Sequence, residues 1–328
     1  MLERLTIENF RRFKKLEFAR LKRVNLIAGK NNTGKTAVLE ALLMLLDVNW
    51  SNELKTAFRN CANIGNEMEN YWKWLFHNHE TSSPILFTAE TEEYRDYSIA
   101  FGVPTTPTPH GYTGWAPRGV LYYSARNPKS KKTVAQVAVS QLTYGVVPLW
   151  VRPTDPQKDA IDYDRVVLKA GGEERLEGLL RKIEPRLKSL RSIKPHGVPL
   201  IYVDLGMKEK IPAVHFGQGF IRLLSIYSEI IASGKKVLLI DEVENGLHHS
   251  VLTEIWRGLL HAAQQEDVQI FATTHSYECI RAAHAAFAET MDYDFALHRL
   301  EEVKGEITVT TYDKETLETS LANNFEIR

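Results

Sequence analysis

The stretch Gly29-Lys-Asn-Asn-Thr-Gly-Lys-Thr36 constrains this chain more than any other. It matches G-x-x-x-x-G-K-[ST], a pattern that average residue usage produces by chance roughly once in a hundred chains of this size. Residues 23–28 (RVNLIA) before it read as a strand. From Gly34 the run through Thr36 to Leu46 (TAVLEALLMLL) reads as a helix with almost no breakers. Strand, glycine-rich loop and helix in that order is the context in which the pattern has a mechanism. The glycines let successive backbone N–H groups turn inward as an anion nest. The helix that follows points its positive end at the same place. Gly29, Lys30, Asn31, Asn32, Thr33, Gly34, Lys35 and Thr36 are therefore the expected phosphate cradle for ATP. Lys35 is expected to reach the β- and γ-phosphates, and the Thr36 hydroxyl to ligate Mg2+.

Such a cradle needs a second carboxylate for the metal. Val237-Leu-Leu-Ile-Asp241-Glu242 supplies one, because its apolar strand suits burial on both faces of a parallel sheet and ends in two acids. Asp241 is expected to hold Mg2+ through a water, and Glu242 to orient and deprotonate the attacking water. His275 closes the next apolar strand (FATTH) and is placed to hydrogen-bond a γ-phosphate, although a histidine at a strand end is more often structural. Phe216-Gly-Gln-Gly-Phe-Ile-Arg222 opens a helix shortly before the Asp241 strand. Gly217, Gln218 and Gly219 at that helix start present a second set of free N–H groups. The chain already has a cradle of its own, so this second helix start is read as contacting ATP on another copy.

The order of these motifs, with Glu244-Asn-Gly-Leu247 between Asp241 and His275, resembles that of ABC ATPases. In detail it is similar to the branch of RecF, SMC heads and OLD-type ATPases, and Ile7-Glu-Asn-Phe-Arg-Arg-Phe13 and Leu200-Ile-Tyr-Val-Asp204 carry the same likeness. The likeness is strongest toward the small stand-alone OLD-like ATPases known as ATP/GTP phosphatases, and is weak over residues 48–158. It implies an α/β ABC-ATPase head in a single ATPase domain. A P-loop sheet lobe with an insertion would span about residues 1–158, a helical signature lobe about 159–235, and the returning sheet about 236–328. It also implies a homodimer in which the signature helix of one copy closes on the nucleotide of the other, and it puts Arg11 near that nucleotide. Two features depart from the pattern. Gly217 stands where transporter signatures have serine, which leaves the γ-phosphate contact to backbone N–H groups. The glutamine of a Q-loop is hard to fix, with Gln157 as the candidate. OLD nucleases carry a fused Toprim domain, whereas here Arg328 follows shortly on the ATPase core. The expected effector is therefore a separate protein, such as a Toprim or HNH nuclease of antiphage defence, regulated by ATP-driven closure. A RecF-like or SMC-like ATPase that binds DNA directly is the alternative reading, and a nucleotide-gated scaffold with negligible turnover a third.

Charge and composition bound these readings. The chain has 41 basic and 41 acidic residues, so no global field draws it onto nucleic acid, and any such contact rests on a local patch. One candidate patch is Arg175, Arg181, Lys182, Arg186, Lys188, Arg191 and Lys194, offset by Glu173, Glu174, Glu177 and Glu184. It reads first as a solvated helix face. Cys61 and Cys279 lack C-x-x-C spacing and suit reduced thiols in a cytoplasmic protein. The N-terminus has no apolar stretch of a signal peptide, and no run approaches the ~20 apolar residues of a membrane helix. His248 and His249 read as loop residues at a dimer seam rather than a metal pair. Asp159, Asp162 and Asp164, and the pair Asp292 and Asp294, have no distant acidic motif to complete a two-metal nuclease site. Tyr71, Trp72, Trp74 and Phe76 are too dense for open surface, and read as local core or a docking patch. Residues 159–190 read as one charged helical stretch.

Overall fold

A computed structural model describes residues 1–46, 73–91, 97–102, 122–126, 146–149, 155–234 and 236–328. Strands β1 (Leu2–Phe10), β2 (Phe13–Phe18) and β3 (Val24–Gly29) lead into helix α1 (Lys35–Leu46). After short 3-10 turns, β4 (Ile85–Thr91), β5 (Tyr97–Gly102), β6 (Tyr122–Arg126) and β7 (Val146–Leu149) follow. The middle of the chain holds α2 (Pro156–Val167), α3 (Gly172–Arg181), β8 (Ser189–Ile193), β9 (Leu200–Asp204) and β10 (Ile211–Pro212). The remainder is α4 (Gln218–Ser233), β11 (Val237–Ile240), α5 (Leu252–Gln265), β12 (Gln269–Thr274), α6 (Tyr277–Ala288), β13 (Phe295–Val303), β14 (Glu306–Tyr312) and α7 (Lys314–Ala322).

A six-stranded sheet in the order β14-β13-β3-β12-β11-β7 divides the molecule. All its pairings are parallel except the β13–β14 hairpin. The near-continuous apolar runs of β3, β11 and β12 are buried throughout, as a sheet covered on both faces requires. Alternate residues serve alternate cores. Leu238, Ile240, Ile270 and Ala272 point to the side holding α2 to α6. Val237, Leu239 and Phe271 point to the side holding α1. There α1 meets the apolar residues of β1, β2 and β4 from an antiparallel sheet of order β2-β1-β4-β5-β6. Cover from two sheets explains why α1 is apolar on every face, with residues from Ala37 to Leu46 all buried.

One expectation shifts. The stretch read as one helical run over 159–190 is two helices and a strand. Gly171 takes a left-handed conformation at the start of α3, and Pro185 stops further helix, because the residue before a proline avoids the helical region. Ser189–Ile193 then alternates and pairs antiparallel with β9. Strand β2, with its Phe-Lys-Lys-Leu-Glu-Phe pattern, was not anticipated, nor was helix α6. An insertion read over about 48–84 lies outside the described residues as far as residue 72, as do a loop read over 102–117 beyond residue 102 and a basic turn read over 129–132.

Candidate functional site

Strand order places the carboxyl ends of β3, β12 and β11 side by side. The loop at residues 30–34, the Thr273–Thr274 strand end and the Asp241–Glu242 turn therefore share one rim. A cavity of about 700 Å³ opens there, within the range of about 300–1,000 Å³ usual for small-molecule sites. Asn31, Asn32, Gly34, Lys35 and Thr36 form its floor, with Asp241 and Glu242 at one side. Trp74, His77, Asn78 and His79 also line it.

The cradle is held from beneath. Gly34 has φ of +94° and sits on the Phe13 ring, where an added Cβ would lie 2.6 Å from the ring edge. Only glycine satisfies both the torsion and the contact. Thr33 is buried and its hydroxyl donates to the Lys30 carbonyl at 2.9 Å, which closes the loop on itself. Lys35 Nζ donates to the carbonyls of Gly29 at 2.7 Å and Lys30 at 3.0 Å. Burial lowers its pKa from the ordinary lysine value, against the raising pull of Asp241, Glu242 and Glu244. That ammonium is a partly desolvated charge held on weak neutral acceptors, and an arriving phosphate offers it more.

The acidic turn is equally well fixed. Thr36 Oγ1 donates to Asp241 Oδ2 at 3.0 Å, and Thr273 Oγ1 hydrogen-bonds the other oxygen, Oδ1. Adjacent ligands of an octahedral Mg2+ at about 2.0–2.1 Å lie about 2.9 Å apart. The Thr36–Asp241 oxygen pair therefore fits that ion, with Asp241 bound directly or through a water. Glu242 adopts φ of +47°, a left-handed conformation that a glutamate avoids. Its N–H donates to Thr273 Oγ1 at 2.8 Å, and its carboxylate accepts from Asn245 Nδ2.

Sequence reasoning passed over two residues here. Arg222, on the first turns of α4, donates through Nη2 to the carbonyls of Asp241 at 2.8 Å and Glu242 at 2.7 Å. A lone cation inside the apolar run Phe-Ile-Arg-Leu-Leu was the available signal, since a half-buried guanidinium needs acceptors. Its Nε and the Glu244 Oε2 beyond the turn are buried with no hydrogen-bond partner among the described residues. Arg12 is the second. Phe10 pairs with Phe13, so Arg11 and Arg12 form the tip of a two-residue hairpin. Arg12 reaches the Asn32 carbonyl of the cradle and Glu302 Oε2, the latter at 2.7 Å.

The remaining expected residues are distributed as follows. Arg11 lines the cavity, with Nε held by the buried Glu40 at 3.1 Å and Nη1 by the Trp74 carbonyl at 3.2 Å. His275 stands just past β12, half-exposed and off the cavity lining, with Nδ1 3.3 Å from Glu244 Oε1. Its N–H donates to the same oxygen at 2.9 Å. Gly217, Gln218 and Gly219 open α4 and are likewise absent from the cavity lining. Gly217 faces open space, whereas a Cβ on Gly219 would lie 2.7 Å from the Gly246 carbonyl. Gly219 is thus fixed by contact within its own chain. Gln157 lies exposed in the first turn of α2, off the cavity, which leaves the Q-loop assignment without support. His248 and His249 are exposed, and His248 caps the short turn before α5. Asp162 pairs within α2, with Lys158 at 2.6 Å and Arg165 at 3.1 Å, whereas Asp159 accepts from the Ser225 hydroxyl of α4.

Together these define the class: a P-loop ATPase whose cradle lies in a parallel sheet, with the Gly217–Gly219 helix start in a helical layer. Comparisons with known proteins agree. Residues 1–105 match the family described as "AAA ATPase domain", and residues 155–281 the family described as "AAA domain, putative AbiEii toxin, Type IV TA system". An ATP/GTP phosphatase of Helicobacter pylori is 23% identical over 346 aligned positions, which cover 90% of each chain. An SMC head bound to the C-winged helix domain of ScpA superposes with a TM-score of 0.62 at 13% identity, over 98% of this chain and 99% of that one. The SMC head domain of Thermotoga maritima gives 0.55 at 12% identity, over 95% and 99%. The chain is an ATPase with an SMC-like head. Among the described residues, no helix is long and apolar enough to cross a membrane.

Proposed function

We propose that this chain is a Mg2+-dependent, cytoplasmic ATPase that works as a homodimer, each nucleotide closed by the Gly217–Gln218–Gly219 helix start of the other copy. One observation carries the dimer. The signature helix start, with Gly217 open to solvent, contributes nothing to the nucleotide cavity of its own chain. Its free N–H groups are available to an anion from elsewhere.

In this reading the backbone of residues 29–34 cradles the phosphates and Lys35 binds the β- and γ-oxygens. Thr36 and Asp241 hold Mg2+, which when bound neutralises phosphate charge. Glu242 orients the attacking water and takes its proton. With Nδ1 turned to Glu244, His275 offers Nε2 to the γ-phosphate. Arg11, which lines the cavity, stands near the nucleotide. Closure and reopening regulate a separately encoded effector, a nuclease of antiphage defence. The match over residues 155–281 to a family described by a toxin–antitoxin system supports that setting. Direct DNA binding is the weaker reading, because several of the basic residues that suggested it are already paired. Arg175 pairs with Glu266, Arg181 with Glu177, Arg186 with Glu184 and Arg191 with Glu173.

Sedimentation velocity of the wild type and Glu242→Gln, with and without Mg2+ and ATP, tests this. The substitution keeps size and hydrogen bonding but removes the base, so ATP should hold Glu242→Gln as a stable dimer with no turnover. A mass unchanged by nucleotide, or turnover at the wild-type rate, rejects the proposal.

A further inference from the structure

The part of the cavity lining formed by residues 74–79 is an unusual surface for a chain to expose. Trp74 is half-exposed at 52%. Its indole meets the His79 imidazole edge-on, with centroids 4.2 Å apart at 70°. Asn78 and His79 both take left-handed conformations, with φ of +51° and +59°. Two such residues in succession are costly, and they fold the chain back so that the two rings meet over the cavity. Segment 74–79 is also anchored. Leu75 and Phe76 are buried, and Phe76 bridges to Phe10. The Arg11 N–H donates to the Leu75 carbonyl at 2.6 Å, and His77 Nδ1 lies 3.2 Å from the Arg11 carbonyl. The hairpin that holds this segment is the one whose Phe13 supports Gly34, so segment and cradle are fixed relative to each other.

We propose that residues 74–79 form a base shelf, on which the Trp74 indole stacks the purine of the bound nucleotide, the His79 imidazole braces that indole edge-on, and Asn78 serves the polar edge of the purine. This rests on the nucleotide reading of the cavity. The shelf does not choose between adenine and guanine. Selecting guanine takes a carboxylate for its N1–H and amino group. Among the described residues, the two carboxylates that line the cavity are already engaged, Asp241 by Thr36 and Thr273, Glu242 by Asn245. The Asn78 amide both donates and accepts, and suits either base. Stacking itself is tolerant, because every base has a π-face.

Calorimetric titration with AMP-PNP, GMP-PNP and inorganic tripolyphosphate, each with Mg2+, tests the shelf on the wild type, Trp74→Ala, His79→Ala and Lys35→Ala. The wild type should bind the two nucleotides within about fivefold of each other. Trp74→Ala should weaken both by about tenfold or more, which is the factor that about 1.4 kcal/mol of lost stacking gives. His79→Ala should weaken both by less, and tripolyphosphate should stay within about twofold in either shelf variant. Both rings are exposed, so melting temperature should hold. Unchanged nucleotide binding in both variants overturns the shelf, as does parallel loss of tripolyphosphate, which would make the segment a support for the cradle. A preference above about fiftyfold for one purine overturns the tolerance. Failure of the underlying cavity reading looks different, since Lys35→Ala would then leave all three ligands unaffected.

Discussion

Replacing Arg222 with methionine separates catalysis from binding in a way that the structure makes quantitative. The guanidinium donates two short hydrogen bonds to the carbonyls of Asp241 and Glu242. Charge-assisted bonds of this kind contribute about 1.5–3 kcal/mol each. They hold a turn in which Glu242 sits at φ of +47°, a torsion that costs about 1–3 kcal/mol outside glycine. The two bonds together, about 3–6 kcal/mol, outweigh the strain, so losing the clamp should let the turn relax. If relaxation returns most of 1.4–2.8 kcal/mol, the glutamate is correctly placed in about one molecule in ten to one in a hundred. Turnover at saturating ATP should therefore fall about 10- to 100-fold. ATP affinity should hold within about threefold, because Lys35 is held by the cradle carbonyls independently of Arg222. Arg222→Lys keeps the charge with one donor site and should recover part of the rate. Single-turnover hydrolysis, calorimetric ATP binding and a thermal melt on the same preparations give the three readouts. A folded Arg222→Met variant with wild-type turnover refutes the clamp. So does a loss confined to affinity.

The other expectations concern the signature and the core. Gly217→Asp places a helix-capping carboxylate in open space, so the melting temperature should hold or rise, yet ATP hydrolysis should be lost as the charge faces the partner's phosphate. Intact hydrolysis in this variant would remove Gly217 from the dimer site. Gly219→Ala should instead lower stability together with activity, because its Cβ meets the Gly246 carbonyl. His298 is buried between Thr311 and Asn25, and burial depresses its pKa from 6.5 to about 3. Between those values the unfolded chain takes a proton that the folded chain refuses, so this group lowers stability as pH falls below 6.5, by at most about 1.4 kcal/mol per pH unit, and contributes nothing above it. Urea unfolding from pH 8 to pH 5 should show a shallower acid loss in His298→Gln than in the wild type, and equal slopes would discount the histidine.

The parts of the fold that were legible in the sequence are those whose burial is complete. Strands β3, β11 and β12 are apolar along their length because both faces are covered, and a continuous apolar run needs no tertiary context to be noticed. Strand β2 was illegible for the opposite reason. Its Phe-Lys-Lys-Leu-Glu-Phe pattern buries only three residues and follows β1 after two turn residues, so it was missed although Leu2–Ile7 before it reads as a strand. The break after α3 was legible in principle. Pro185 ends the helix, but the surrounding charges kept the helical period going and masked it.

The site divides along a similar line. The cradle and the acidic turn are contiguous in sequence, so spacing alone named their residues. Everything that holds them in shape comes from far away in the chain. Arg222 reaches the Asp241 turn from another layer, Thr273 donates to Asp241 from the intervening strand, and Phe13 supports Gly34 from a hairpin. Trp74 joins the cavity only because the Arg11 hairpin tip pins its segment there. Gly219 shows the limit most clearly. Its place in a Gly-Gln-Gly motif suggested a backbone offered to phosphate, yet in its own chain the missing Cβ is what lets α4 touch Gly246. A glycine can be kept for the space that it vacates or for the N–H that it presents, and a sequence records both as the same letter. Only contacts separate the two, and they assign the vacated space to Gly219 and leave the free approach to Gly217.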